Sequence, residues 1–124
     1  MSVVNVKVAH IRPQFQDLSK WIEAPNHVYI GRRGIVFIDK KRFPQTDSIW
    51  ANPFKIKANQ TRLEVITQYE TYIRHKLTND AQLVQQLLEL KGKILGCWCH
   101  PEPCHGDVLL KLIDEYTSSS VPNR

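Results

Sequence analysis

The segment Lys93-Ile-Leu-Gly-Cys-Trp-Cys99 constrains the fold more than any other part of this chain. After Lys93 it carries no charged residue, so neither face of a strand built from it can be turned to water. Such a strand belongs in the middle of a sheet covered on both sides. A proline-rich turn, His100-Pro-Glu-Pro-Cys-His-Gly106, follows at once. Asp107 then reads as the cap of a last helix ending at Tyr116. A buried strand feeding a helix is the repeating unit of α/β architecture.

The rest of the chain supplies partners for that strand. Val3–Ala9 is rich in β-branched residues, with Val4, Val6 and Val8 on one face, and reads as a strand. A short helix is expected over residues 15–22. His27–Arg32 and Gly34–Asp39 read as two strands, and the short link Arg32-Arg33-Gly34 suggests a hairpin between them. Lys40–Lys57 has no sustained period and reads as a long irregular segment, the kind that usually carries function. Thr61-Arg-Leu-Glu64 is a capping box, and behind it Leu63, Ile66, Tyr69, Ile73 and Leu77 form one apolar stripe. Asn79 or Asp80 opens a second helix with Leu83, Val84, Leu87 and Leu88 inward, stopped near Gly92. The expected fold is therefore α/β: a small Rossmann-like three-layer sandwich, with a mixed sheet and helices on both faces. One domain is expected over residues 1–116, with a flexible tail over 117–124.

Composition narrows the function classes. The chain has 124 residues, 42% of them apolar and 23% charged, which is ordinary for a soluble globular domain. No apolar run approaches the roughly 20 residues of a membrane span, and Met1–Val8 lacks the layout of a secretion signal. The net charge of +5 is concentrated. Residues 32–62 hold eight bases, Arg32, Arg33, Lys40, Lys41, Arg42, Lys55, Lys57 and Arg62, against Asp39 and Asp47. That segment suits phosphates or nucleic acid; it equally suits a solvated basic loop. The three cysteines all fall within Cys97–Cys104, unlike a disulfide framework, which points to a reducing, intracellular setting.

Three readings of that cysteine cluster stay open. Zinc held by Cys97, Cys99, Cys104 and His105 has the right ligand types, although the C-x-C and adjacent Cys-His spacings strain a tetrahedral cage. A nucleophilic Cys104, with His105 or His100 as its base, suits the start of a helix, where a thiolate is favoured. Alternatively, Cys97 and Cys99 are small buried apolar residues of the central strand, and Cys104 and His105 brace the turn. The free amides opening the last helix favour an anion in each case.

A second constellation joins Trp50-Ala-Asn-Pro-Phe54 to Tyr29-Ile-Gly-Arg-Arg33. Trp50 offers a flat surface for a ring, Asn52 a two-sided amide, Gly31 a close backbone approach and Arg32 a fork for phosphate. The plainer alternative is that Trp50 and Phe54 anchor the loop and Arg32 lies on the surface.

Tyr29-Ile-Gly-Arg32, Trp50-x-Asn-Pro-Phe54 and Leu95-Gly-Cys-Trp-Cys-x-Pro-x-x-Cys-His-x-Asp-Val-Leu109 together resemble the domain-of-unknown-function family 4326 of bacteriophages, large DNA viruses and microbes. The resemblance spans about residues 3–116. It implies that Arg32, Asn52, Pro53, Cys97, Cys99, Cys104, His105 and Asp107 occupy family-motif positions, whereas His100 and Glu102 fall at variable ones. It implies no activity, since the family has none established. The stretch Gly34–Ser48 departs in length from the usual pattern.

The expectation is a pocket at the end of strand 93–99 that takes a phosphate-bearing ligand, a nucleotide or a nucleotide-derived group. Cys104 and His105 supply any chemistry there, Gly31, Arg32, Trp50 and Asn52 bind, and Asp107 caps. The alternative is a non-catalytic nucleic-acid-binding or accessory protein acting through Arg33, Lys40, Lys41, Arg42, Lys55 and Lys57. A homodimer is the default for a domain of this size.

Overall fold

The computed structural model describes residues 2–99 and 102–119. Three parallel strands form the main sheet: β1 (Ser2–Asn5), β2 (His27–Tyr29) and β5 (Ile94–Cys97), in the order β1-β5-β2. The most apolar strand is central, as its composition requires. Ser2 and His27 both stand opposite Ile94, and Val6 N–H and Ile30 N–H extend the ladder to Cys97 O and Gly96 O at 2.9 and 3.0 Å.

Alternation along β5 divides the core in two. Leu95 and Cys97 face a cluster built with Tyr69, Ile73, Leu87, Leu109 and Ile113. Those residues come from α3 (Arg62–Thr78), α4 (Ala81–Leu88) and α5 (His105–Ser119). Ile94 and Trp98 face the other cluster, with Val6, Ile11, Leu18 and Trp21 from α1 (Val8–Ile11), α2 (Leu18–Glu23) and the end of β1. A Cβ added to Gly96 would sit 2.6 Å from the Trp21 ring, so only glycine lets α2 approach this closely. Helices thus cover both faces of a parallel sheet.

Several expectations are corrected. Among the described residues the sheet is not mixed: β2 pairs only with β5, and the antiparallel pairing lies apart, between β3 (Val36–Ile38) and β4 (Lys41–Phe43). Asp39 and Lys40, with φ of 52° and 67°, make the two-residue turn that matches strand twist. The link at 32–34 instead turns the chain out of the sheet, as Arg33 N–H bonds Asp47 Oδ1 and Gly34 N–H bonds Pro44 O. The first strand stops at Asn5, and Val8 opens α1 with its side chain exposed.

Both bonds of the Thr61–Glu64 capping box form. The buried stripe of α3 is Val65, Tyr69, Ile73 and Leu77; Leu63, two positions before Val65, lies about 200° around the helix and is exposed. Asp80 rather than Asn79 caps α4, accepting from Leu83 N–H at 3.0 Å. The last helix runs three residues past Tyr116, and the rest of the expected tail, 120–124, lies outside the described residues. Among the described residues no helix is long and apolar enough to cross a membrane.

Candidate functional site

The carboxyl ends of all three parallel strands open onto one cavity of about 580 Å³. Lys7 follows β1, Gly31 and Arg32 follow β2, and Trp98 and Cys99 follow β5; all five line it. Strand ends of an open α/β sheet are where ligands collect. The loop residues Asn52, Phe54, Lys55 and Ile56, Arg62, Val65 and Ile66 of α3, and Pro103, Cys104 and His105 at the start of α5 complete the lining. Among the described residues four cationic side chains, Lys7, Arg32, Lys55 and Arg62, line this space, and no carboxylate does.

The last of these groups is organised by the start of α5. Cys104 is the residue just before the helix. Its sulfur accepts from Gly106 N–H at 3.3 Å, and its own N–H donates to Asp107 Oδ2 at 3.0 Å. The cap therefore falls three residues earlier than expected. Asp107 is the returning carboxylate of a reciprocal capping pair, exposed and outside the cavity.

His105 places Nε2 2.7 Å from Ile30 O. A carbonyl only accepts, so this nitrogen carries the proton in the neutral ring, and Nδ1 presents a lone pair 3.7 Å from Cys104 Sγ. The Tyr69 ring meets the imidazole edge-on, with centroids 5.0 Å apart. Burial pushes the imidazole pKa below its ordinary 6.5, only partly opposed by the bond to Ile30 O. Below pH 6.5 the unfolded chain then binds a proton that the folded chain refuses, so stability falls as pH drops from 6.5 through the folded value. We expect His105→Gln to flatten the decline of Tm between pH 7 and pH 5. An unchanged slope would assign the acid sensitivity elsewhere.

The three thiols meet on the same side of β5, and no disulfide joins them. Cys104 hydrogen-bonds with both Cys97 and Cys99, and these bonds, with burial, push its pKa upward. Cys99 moves the other way. The hydrogen bond from Cys104, and then Arg62 and Lys7, push it down to about 6 against the opposing effect of burial. Of the two thiols, Cys99, half-buried at the cavity, is the one whose anion its surroundings favour.

The zinc reading, one of the three left open, gains no support. Among the described residues no group of three or more His, Cys, Asp or Glu side chains is placed to hold a metal. Cys97 is buried in the strand, and His105 commits Nε2 to a backbone carbonyl. His100 lies outside the described residues.

Of the expected binding residues, Gly31, Arg32 and Asn52 do line the cavity with Cys104 and His105, though each is engaged differently from expectation. Arg32 forks onto protein: Nε donates to Asn52 O at 2.7 Å and Nη2 to Phe54 O at 2.9 Å. The Asn52 side chain accepts from Phe54 N–H at 2.9 Å and shapes the loop. Gly31 is required by Tyr29, whose hydroxyl would lie 2.4 Å from an added Cβ. That hydroxyl donates to Arg32 O and accepts from Trp98 Nε1, and burial pushes its pKa up to about 12. Trp50 is outside the cavity, 3% exposed in the core, with its carbonyl bonded by Tyr69 Oη at 2.8 Å.

The basic segment is divided. Lys55 lines the cavity, whereas Arg33, Lys40, Lys41, Arg42 and Lys57 do not. Arg42 lies over the Phe37 ring and donates to Gly34 O. Sequence reasoning missed Lys7 and Arg62 as site residues. Arg62 carried a signal, because a cation in the first turn of a helix opposes the dipole and needs another partner.

This is a small α/β protein with a parallel sheet, a thiol-bearing helix start and a cationic cavity between them. It belongs to the family described as domain of unknown function (DUF4326), whose profile matches residues 14–115. An uncharacterized protein of Acanthamoeba polyphaga mimivirus, R718, is 36% identical over 100 residues, covering 72% of this chain and 70% of the viral one. No solved structure matches the chain.

Proposed function

We propose that the cavity binds a small phosphate-bearing ligand, a nucleotide or a nucleotide-derived group. The observation that carries this reading is the lining: among the described residues, four cations without a carboxylate, set beside Phe54, Ile35, Ile56 and Trp98. Cations without counter-charges favour an anion, and the apolar walls suit the flat part of such a ligand. The volume is within the range of small-ligand sites, and the amides opening α5 add a favourable dipole there. Arg62 and Lys7 contact the anion, while Arg32 mainly holds the loop wall in place. Cys99, Cys104 and His105 are positioned to act on what is bound. Three cysteines outside any disulfide suit a reducing compartment.

Calorimetric titration with AMP, ATP and inorganic phosphate tests this reading. At least one should bind, and Arg62→Gln and Lys7→Gln should each weaken it about tenfold, the worth of one charge-assisted contact. Lys41→Gln should change nothing. If binding is absent from all three, or indifferent to Arg62 and Lys7, the reading fails. Strong, steeply salt-dependent binding of single-stranded DNA that is lost in a Lys40/Lys41/Arg42→Gln variant would favour the nucleic-acid alternative instead.

A further inference from the structure

Outside ordinary ligand binding, one arrangement stands out: two thiols lining the cavity, hydrogen-bonded to each other, one accessible and one at the start of a helix. We propose that Cys99 and Cys104 are a thiol–disulfide exchange pair that opens a small anionic disulfide held by the cavity's cations, Cys99 attacking and Cys104 resolving. The proposal rests on the anion-binding reading of the cavity for its choice of substrate, though not for the chemistry of the pair.

The roles follow from position. Cys99 lines the cavity and is half-exposed, so a second sulfur can approach it in line. It faces Cys104 from the start of α5, Arg62 from α3 and Lys7 from beyond β1, all of which favour its anion. Cys97 is 1% exposed and has no such approach. Cys104 is the natural second sulfur, because it hydrogen-bonds Cys99, lines the same cavity and is fixed at the start of α5 by Gly106 N–H at 3.3 Å. His105 Nδ1, unprotonated and 3.7 Å from Cys104 Sγ, is placed to take its proton.

The exchange balances in two steps. The Cys99 thiolate attacks one sulfur of the disulfide; the S–S bond breaks, and one thiolate leaves as a mixed disulfide forms on Cys99. Cys104 then gives its proton to His105 Nδ1, and its sulfur attacks the Cys99 sulfur. The mixed disulfide breaks, and the second thiolate leaves with the proton from His105. The Cys99 thiolate and Cys104 thiol are oxidised to a Cys99–Cys104 disulfide, and the small disulfide is reduced to one thiol and one thiolate, which takes its proton from water.

The test uses the reduced, full-length protein with oxidised glutathione as an anionic disulfide and 2-hydroxyethyl disulfide as a neutral one, read by peptide mass mapping. Wild type should yield the Cys99–Cys104 link, and Cys104→Ser should accumulate glutathione on Cys99. Cys99→Ser should react at least about tenfold more slowly than wild type, the penalty of losing the thiol held as an anion. Alkylation of wild-type Cys99 should have its midpoint below pH 7, a readout that needs no variant to fold. A Cys97–Cys104 link, or Cys99 alkylating no faster at pH 6 than in urea-unfolded protein, overturns the pair. Should the pair form equally fast with both disulfides, and Arg62→Gln not slow the glutathione reaction, the pair stands and the anionic substrate is wrong.

Discussion

Replacing Trp50 with alanine is expected to remove about 3–5 kcal/mol of stability, the usual cost of emptying a buried aromatic site. Trp50 is 3% exposed and belongs to the larger core cluster. It is also the main apolar anchor of a stretch, residues 44–61, that contains no helix or strand. Tyr69, fully buried on α3, donates its hydroxyl to the Trp50 carbonyl, so a shift of the loop also strands a buried polar group. Since a domain of this kind is stable by only about 5–15 kcal/mol, the loss would be a large part of the total. Urea denaturation followed by circular dichroism measures it. A loss under about 1 kcal/mol would mean that the indole is replaceable packing and that the loop is held elsewhere.

The second large effect is expected at Arg32. Its guanidinium ties two carbonyls of one loop, Asn52 O and Phe54 O, to the end of β2. Arg32→Ala should cost about 2–4 kcal/mol, because the two charge-assisted bonds are lost together and are not simply additive. It should also abolish ligand binding by freeing the wall that carries Phe54, Lys55 and Ile56. Arg32→Lys should rescue little of either, since an ammonium cannot fork onto two acceptors. Limited trypsin digestion distinguishes the roles: cleavage after Lys55 and Lys57 should accelerate in both variants. If binding is lost while cleavage and Tm match wild type, Arg32 contacts the ligand itself and does not hold the loop.

How much of this was legible in the sequence depends on how local each determinant is. The central place of β5 could be read because an uncharged strand has no other stable position. Thr61 and Glu64 announced the start of α3 because capping is decided within four residues. The same strand and the helix after it point to the candidate cavity, which Gly31, Arg32, Asn52, Cys104 and His105 all line. The partner of β3 was not legible. Arg32-Arg33-Gly34 looks like a turn and is one, but it takes the chain out of the sheet, while Asp39-Lys40 closes the hairpin without a glycine. Trp50 looked equally suited to a ligand or to the core, and only the three-dimensional position of Tyr69 decides between them. Lys7 lies 92 positions from Cys99, so nothing in their sequence neighbourhoods joins them. The lowered pKa of Cys99 draws first on Cys104 and then on Arg62, which comes from a third element.

The order of the strands has a consequence for how the chain comes into being. The middle strand of the sheet is the last one to be synthesised, and β1 and β2 make no ladder with each other. Until Ile94–Cys97 has left the ribosome, the two earlier strands have edges and no centre. The nascent chain must therefore carry them unpaired until that segment has been made. The sheet, and the cavity at its strand ends, cannot be completed before that one segment is available.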